Sequence, residues 1–426
     1  MANLAVNGGI PVRRVKGEPW PRWPVYGKEE LEGLKQVLQS GVWSYNGPKE
    51  REFNRRFANL IGTKYALSVA NGTVSLQMAL EALDIGYGDE VIVPGITWQA
   101  TAAAVIDVNA VPILVDVEPD TWCIDPKKIE PAITRRTRAI MPVHLYGCIA
   151  DMDAIMRIAR KHKLYVIEDA AHQHGSRWKG KGVGSFGNIA SFSLQLSKVL
   201  TAGEGGVITT SSYKLWERLD ALRNCGRRPV KKEKGSKGGG QYVSVGDLIQ
   251  SGNYRITEWQ AAVLTGQIKR LPAQIMTRDR NAIYINKRLA GIPGITPMRR
   301  DPRTTRQSYF NFAFRYNARG FSGLPVNKFR LALAAELGLS GDGVAPCYEP
   351  LNDCSLYRPL TKKRYHISEA HWKRINPARF RLPVCERAYK KESVCFHHSI
   401  LLGTKKDMDQ IADAIIKIKE NVREIL

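Results

Sequence analysis

Short apolar runs separated by stretches of helical spacing fill the chain between residues 65 and 211. The runs fall at 65–70, 90–94, 112–116, 138–143, 164–169, 189–194 and 206–210. Most are continuously apolar, as in Val91-Ile92-Val93 and Ile113-Leu114-Val115, which suits strands covered by helices on both faces better than strands with one wet face. Between them, 73–83, 129–133 and 151–161 carry apolar residues at helical spacing, two of them opening on Thr73 or Asp151. Strands alternating with crossover helices predict an α/β fold: a three-layer domain around a mostly parallel, seven-stranded sheet.

Past a glycine-rich stretch at 235–240 the pattern changes. Two helices are predicted at 255–268 and 278–289, and 308–316 alternates in the manner of a half-buried strand. Helices at 326–337 and 406–424 follow, mixed with short strands. The predicted organisation is an N-terminal arm (1–25), a large domain (26–275) with a flexible basic loop at 228–241, and a smaller C-terminal α/β domain (276–426). No internal repeat is visible.

Composition narrows the function classes. A chain of 426 residues, 43% hydrophobic, has material for one sizeable core and a second, smaller one. No apolar run approaches the roughly 18 residues that span a bilayer, and the first 17 residues lack the pattern of a secretory signal. A cytoplasmic protein without a membrane partner is expected. The seven cysteines form no Cys-x-x-Cys pair and are odd in number, so reduced thiols are expected rather than a disulfide framework or zinc finger. The net charge of +24 produces a field attractive to nucleic acid and phosphorylated substrates alike. The basic residues are spread along the chain, and the densest run, Arg227-Arg228-Pro229-Val230-Lys231-Lys232-Glu233-Lys234, passes into a glycine tract. That composition reads as a solvated loop. With no zinc-finger, basic-zipper or ribonucleoprotein signature, no specific nucleic-acid partner is expected.

Candidate chemistry concentrates between 164 and 206. One strand ends in Glu168-Asp169, a turn with His172 follows, and the next strand leads through Ser193-Leu194-Gln195-Leu196-Ser197 to Lys198 and a glycine-rich close. Ligands of α/β sheets bind beyond the carboxyl ends of strands, so Asp169 and Lys198 are predicted to face one crevice. Pyridoxal phosphate requires that pair: an amine to form a Schiff base, and a carboxylate that keeps the pyridine nitrogen protonated. Asn71-Gly72-Thr73, where a strand turns into a helix, offers unpaired N–H groups to a phosphate, although many capped helices begin this way and bind nothing. Trp98 has the right place to stack on a ring, and equally suits core or interface filling.

Other motifs read as structure. Gly175-Ser176-Arg177-Trp178-Lys179-Gly180-Lys181 has the glycine and lysine spacing of a phosphate loop, but Gly182 stands where Ser or Thr would hold magnesium, and Gly182 and Gly184 discourage the required helix. It reads as a turn. His172 and His174 lack a third ligand for a metal, so no metal site is expected. His144, at a strand end, reads as a satisfied structural histidine.

These residues, in this order, resemble the DegT/DnrJ/EryC1/StrS sugar aminotransferases, which have the aspartate-aminotransferase-like type I fold of pyridoxal-phosphate enzymes. The matching phrases run almost the full length: Gly8-Gly9-Ile10-Pro11-Val12, Val69-Ala70-Asn71-Gly72-Thr73, Gly88-Asp89-Glu90-Val91-Ile92-Val93-Pro94, Pro142-Val143-His144-Leu145-Tyr146-Gly147, Glu168-Asp169-Ala170-Ala171-His172, Phe192-Ser193 to Lys198, and Gly252-Asn253-Tyr254-Arg255. The resemblance implies pyridoxal 5'-phosphate as cofactor, with Lys198 as internal-aldimine lysine, Asp169 on the pyridinium and His172 on the phenolic oxygen. It implies Gly72, Thr73 and Ser193 on the phosphate with Gln195 beside them, Trp98 over the ring, and Asn253 reaching the neighbouring site of a homodimer. Sugar 3-dehydratases of this type have histidine where Lys198 stands, so transamination is implied.

Within the family, Trp98, Thr121-Trp122-Cys123-Ile124-Asp125-Pro126, Leu200 to Gly206, Arg306-Gln307-Ser308-Tyr309 and Phe396-His397-His398-Ser399-Ile400-Leu401-Leu402 resemble the branch that aminates scyllo-inosose or 2-deoxy-scyllo-inosose with L-glutamine in aminoglycoside pathways. 3-Amino-5-hydroxybenzoate synthase shares the His-His phrase. Arg306 is then a candidate for the donor carboxylate, and Tyr309, His397 and His398 for the substrate pocket. Two alternatives stay open: a nucleotide-linked keto-sugar acceptor with L-glutamate as donor, favoured by the positive charge, and a non-catalytic cofactor-binding regulator that contacts nucleic acid.

Overall fold

All seven predicted strands join one sheet: β1 (Tyr65–Val69), β2 (Glu90–Pro94), β3 (Val111–Val115), β4 (Thr137–Ile140), β5 (Tyr165–Asp169), β6 (Ile189–Ser193) and β7 (Gly206–Thr210). They lie in the order β1-β7-β6-β5-β4-β2-β3. Only β7 runs against its neighbours, and every other pairing is parallel. The computed structural model describes residues 3–14, 19–231, 242–246, 248–361 and 368–426.

Register decides what the sheet presents. Val69 and Ser193 both pair with Gly206, and Asp169 pairs with Ser191. The carboxyl ends of β1, β5 and β6 therefore meet at one edge. The helix Gly72–Ala82 starts at this edge because Asn71 caps it, its side chain accepting from the Val74 N–H. Asp151 caps Met152–His162 through the Ala154 N–H in the same way.

Three expectations are corrected. The predicted helices 255–268 and 278–289 are one helix of 32 residues, Glu258–Leu289, opened by a Thr257/Gln260 capping box and continuing through Pro272. An interior proline costs about 3 kcal/mol, but the helix buries Leu264, Leu271 and Ile275 in one apolar core and Ala282, Ile285 and Leu289 in another. At roughly 1.5–3 kcal/mol for each large buried side chain, packing outweighs the lost hydrogen bond. The helix predicted at 129–133 begins earlier, as one α-turn at Pro126–Ile129 capped by Asp125, and tightens to 3-10 geometry over Glu130–Ala132. The predicted basic loop 228–241 opens as a strand: Arg228–Lys231 pairs antiparallel with Tyr242–Val245, and 232–241 lies outside the described residues.

The second core surrounds an antiparallel sheet of β8 (Ile295–Pro297), β9 (Asn311–Tyr316) and β10 (Ser393–His397). The helices Val326–Glu336 and Lys405–Glu420 cover it, and Leu4 at the N-terminus joins it. The segment that carries Cys347, Leu351, Tyr357, Leu382 and Cys385 returns to the first core, so the C-terminal part of the chain braces both. The phosphate-loop look-alike is a hairpin of Arg177–Trp178 and Lys181–Gly182, as its turn reading requires. A Cβ at Gly182 would lie 2.0 Å from the Ile61 carbonyl oxygen, so close packing explains that glycine. No helix among the described residues is long and apolar enough to cross a membrane. All seven cysteines are free thiols.

Candidate active site

A cavity of about 770 Å³ opens at the carboxyl edge of the sheet. Asp169, His172 and Lys198 line it together with Gly72, Thr73 and Ser193. Trp98 and Gln195 complete the set that the sequence predicted there. The volume is that of an ordinary small-molecule site.

The amine and the acid are both dry. Lys198 is 8% exposed, and burial pulls its pKa down to about 7, the charge of Asp169 opposing the shift. Burial raises Asp169 above the usual carboxylate range, against the Thr101 and Ala171 hydrogen bonds and the Lys198 charge. Those bonds orient the carboxylate: the Thr101 hydroxyl donates to Oδ2 at 2.8 Å and the Ala171 N–H to Oδ1 at 3.2 Å. The Thr97 hydroxyl backs Thr101 at 2.7 Å. A lysine close to neutrality is a nucleophile at ordinary pH, which an exposed lysine is not.

His172 is fixed in one tautomer. Its Nδ1 accepts from the Tyr146 N–H at 3.2 Å, so Nε2 carries the proton of the neutral ring and faces the Tyr348 hydroxyl at 3.3 Å. Burial, with the Lys198 charge, holds the ring neutral, well below the usual histidine range. It stacks on Phe310 with centroids 4.0 Å apart, and Lys198 Nζ lies 3.7 Å from the centroid of the same Phe310 ring. Tyr348 also lines the cavity, and its N–H is held by the Tyr146 hydroxyl at 2.8 Å.

One part of the cavity wall is built from the backbone of a helix start. The helix beginning at Gly72 leaves its first N–H groups without intrahelical partners, and only Val74 is served by Asn71. A Cβ at position 72 would lie 2.9 Å from Ser193 Cβ, so glycine lets the two walls of this cradle close together. Gln195 Oε1 is turned inward onto the Ser197 N–H (2.8 Å) and hydroxyl (2.6 Å).

Other predicted residues lie elsewhere. Asn253 is exposed, bridges to Asn224, and is not on the wall of this cavity. Arg306 donates from Nε to the Gly175 carbonyl at 2.7 Å, and its Nη2 is enclosed without a partner, off the cavity wall. Tyr309 is buried over Gly147, where a Cβ would lie 2.4 Å from its ring. The chain bends at Phe310, just before β9, and it is Phe310 rather than Tyr309 that lines the cavity. His397 and His398 also lie off the wall, both with Nε2 on the Ser197 carbonyl. His144 is satisfied, bonded to Glu168 at 3.2 Å and to the Ala150 N–H. His174 bonds the Ser193 carbonyl at 2.8 Å. Among the described residues no group of three metal ligands exists.

The sequence reading missed Tyr348, Phe310, Thr97 and Thr101. The two threonines carried a signal, an i, i+4 pair just past β2 on the side where Trp98 had been noticed. Tyr348 carried none, because a distant loop brings it in.

A buried amine and acid converge under the carboxyl edge of a doubly covered sheet, beside an open helix N-terminus, an arrangement with the chemistry to handle amines next to an anionic group. The sequence pattern of the DegT/DnrJ/EryC1/StrS aminotransferase family matches residues 24–394. The L-glutamine:2-deoxy-scyllo-inosose aminotransferase of Streptoalloteichus tenebrarius is 43% identical over 99% of this chain and 99% of its own. The L-glutamine:scyllo-inosose aminotransferase of Streptomyces griseus is 41% identical over 100% of this chain and 99% of its own. The crystal structure of 3-amino-5-hydroxybenzoic acid synthase superposes with a TM-score of 0.78 at 31% identity, covering 95% of this chain and 99% of that one. The chain belongs to the DegT/DnrJ/EryC1/StrS aminotransferase family.

Proposed function

We propose that the chain uses pyridoxal 5'-phosphate to move an amino group from L-glutamine to a keto-cyclitol of the scyllo-inosose type. The observation that carries the proposal is Lys198, a buried amine near neutrality in one cavity with Asp169. Full-length similarity to the two glutamine-dependent cyclitol aminotransferases supports donor and acceptor.

The residues present fit the cofactor. Gly72, Thr73 and Ser193, with Gln195 beside them, would hold its phosphate, and Asp169 its pyridine nitrogen. His172 offers an Nε2–H to the phenolic oxygen, and Trp98 a face to the ring. When bound, the cofactor supplies the carbonyl that receives the amino group and an electron sink for the donor's α-carbon. Lys198 would hold the cofactor and, once the incoming amine has released it, would take the proton from the donor's α-carbon in the first half of the exchange and deliver a proton to the acceptor's carbonyl carbon in the second. Asp169 keeps its geometry through the Thr101 and Ala171 bonds.

The working unit is proposed to be a homodimer in which Asn253 serves the neighbouring cavity, a reading supported by its exposure outside its own. The division into arm 1–25, large domain 26–275 and small domain 276–426 is proposed with the long helix as the shared spine. A cytoplasmic setting accords with seven free thiols. Purified protein loaded with pyridoxal phosphate tests the assignment: amine products are weighed by mass spectrometry for each pairing of L-glutamine or L-glutamate with scyllo-inosose, 2-deoxy-scyllo-inosose or a nucleotide-linked keto-sugar. Glutamine with a free cyclitol is expected to give product. Product only from glutamate and the nucleotide-linked sugar would replace the acceptor assignment, and salt-sensitive DNA binding without turnover would favour a regulator.

A further inference from the structure

The loop that bears Lys198 is gripped from outside the cavity by three rings from distant parts of the chain. The Trp23 indole N–H donates to the Leu196 carbonyl at 2.8 Å. One residue on, the Ser197 carbonyl receives His397 Nε2 at 3.3 Å and His398 Nε2 at 3.0 Å. Trp23 and His398 pack edge to face with centroids 4.5 Å apart, and His397 and His398 lie 4.1 Å apart. The N-terminal arm and the end of β10 thus meet on the two carbonyls that precede the catalytic lysine.

The chemistry of the grip is one-directional. A carbonyl only accepts, so both Nε2 atoms carry hydrogens. His397 is held in that tautomer because its Nδ1 accepts the Ser399 N–H. Behind the rings stands Arg278, fully buried, its guanidinium 5.2 Å from the Trp23 centroid and all three nitrogens without an acceptor among the described residues. Burial keeps the pair neutral, reinforced by the positive charge of Arg278 and, for His398, by that of Lys198 when protonated. Both rings are therefore neutral in the physiological range, and the grip does not come and go with pH there.

We propose that Trp23, His397 and His398 are positioning residues for Lys198, clamping the Leu196 and Ser197 carbonyls so that Nζ moves by rotation of its side chain rather than by displacement of its loop. The proposal rests on the reading of Lys198 as the proton-carrying amine. It matters because the same amine must serve a donor carbon and then an acceptor carbon, and an ångström of misplacement is costly. It also gives the His-His phrase a place outside the substrate pocket.

The test compares His398→Leu, which removes the donor, with His398→Gln, which returns an N–H near the Nε2 position, and with Trp23→Phe, which keeps a ring and removes the indole N–H. Four readouts are taken: kcat and KM for L-glutamine, the isotope effect with α-deuterated L-glutamine, hydrogen exchange of the apoprotein over residues 194–203, and borohydride fixation of pyridoxal phosphate on Lys198. For His398→Leu a roughly tenfold fall in kcat, KM within about twofold, a larger isotope effect and faster exchange at 194–203 are expected. His398→Gln should recover most of kcat, and Trp23→Phe should shift in the same direction by a few-fold. Equal losses in the Gln and Leu variants, or an unchanged isotope effect and exchange rate in His398→Leu, would overturn the clamp. If His398→Leu does not fold, Trp23→Phe decides by the same readouts. Failure of borohydride to fix the cofactor on Lys198 in the wild-type chain would sink the reading of the lysine instead, and is thereby distinguished from failure of the clamp.

Discussion

The core beneath β9 and the wall of the crevice are equally dry and differently filled. Phe312, Phe314, Phe329, Ile411, Ile415 and Ile418 are at most 1% exposed in the first. Asp169, His172 and Lys198 are 5%, 3% and 8% exposed in the second. Removing water stabilises the fold in the apolar core. In the crevice it penalises charge, and the penalty reappears as a lysine that gives up its proton easily and an acid that holds its proton more tightly. The wall of the crevice is a place where packing opposes stability.

That contrast can be broken from either side. The largest effect is expected for Lys198→Ala: turnover falls by about 10⁴-fold or more, read by amine formation, while thermal stability of the apoprotein does not fall. The sign follows from linkage. Lys198 has a folded pKa of about 7, below its ordinary 10.5, so the folded state binds fewer protons between these values and stability declines as pH drops from above 10.5 toward 7. Removing the amine removes that decline, so Lys198→Met should flatten the melting temperature over pH 7 to 10 relative to wild type. Phe314→Ala is the converse experiment. A cost of roughly 3–5 kcal/mol is expected by urea unfolding, with the pH midpoint of Lys198 reactivity unmoved. Thr101→Val takes the hydroxyl from Asp169 Oδ2 and leaves a buried carboxyl group underbonded, about 1–3 kcal/mol; a fall of roughly 10–100-fold in kcat/KM is expected together with a lowered melting temperature. The smallest change is expected for Tyr348→Phe, which removes only the partner of His172 Nε2, about 0.5–1.5 kcal/mol, read as a few-fold loss in kcat.

The two regions also differed in how far the sequence disclosed them. The seven sheet strands were legible because most are compact apolar runs bounded by turns, and the Asp169–Lys198 pair because Asp169 closes β5 and Lys198 lies in the loop that follows β6. The long helix was misread at Pro272, since local propensity cannot see that its two halves are buried in two cores. Tyr309 is singled out by the motif and its neighbour Phe310 is not, because a motif match does not say which of two adjacent residues faces the cavity. His397 and His398 were assigned to the substrate pocket from a phrase that stands next to the lysine in space but behind its loop. Tyr348 and Trp23 reach the site through tertiary contacts with no local pattern.

Reactivity of Lys198 as a function of pH tests the central claim most directly. The apoprotein is treated briefly with an amine-acetylating reagent across pH 5 to 11, and modification of the Lys198 peptide is followed by mass spectrometry against exposed lysines of the same chain. A midpoint near 7 for Lys198, well below its neighbours, is the predicted result. A midpoint shared with the surface lysines would mean that the crevice does not hold Lys198 as a near-neutral amine, and the account of the site would be wrong.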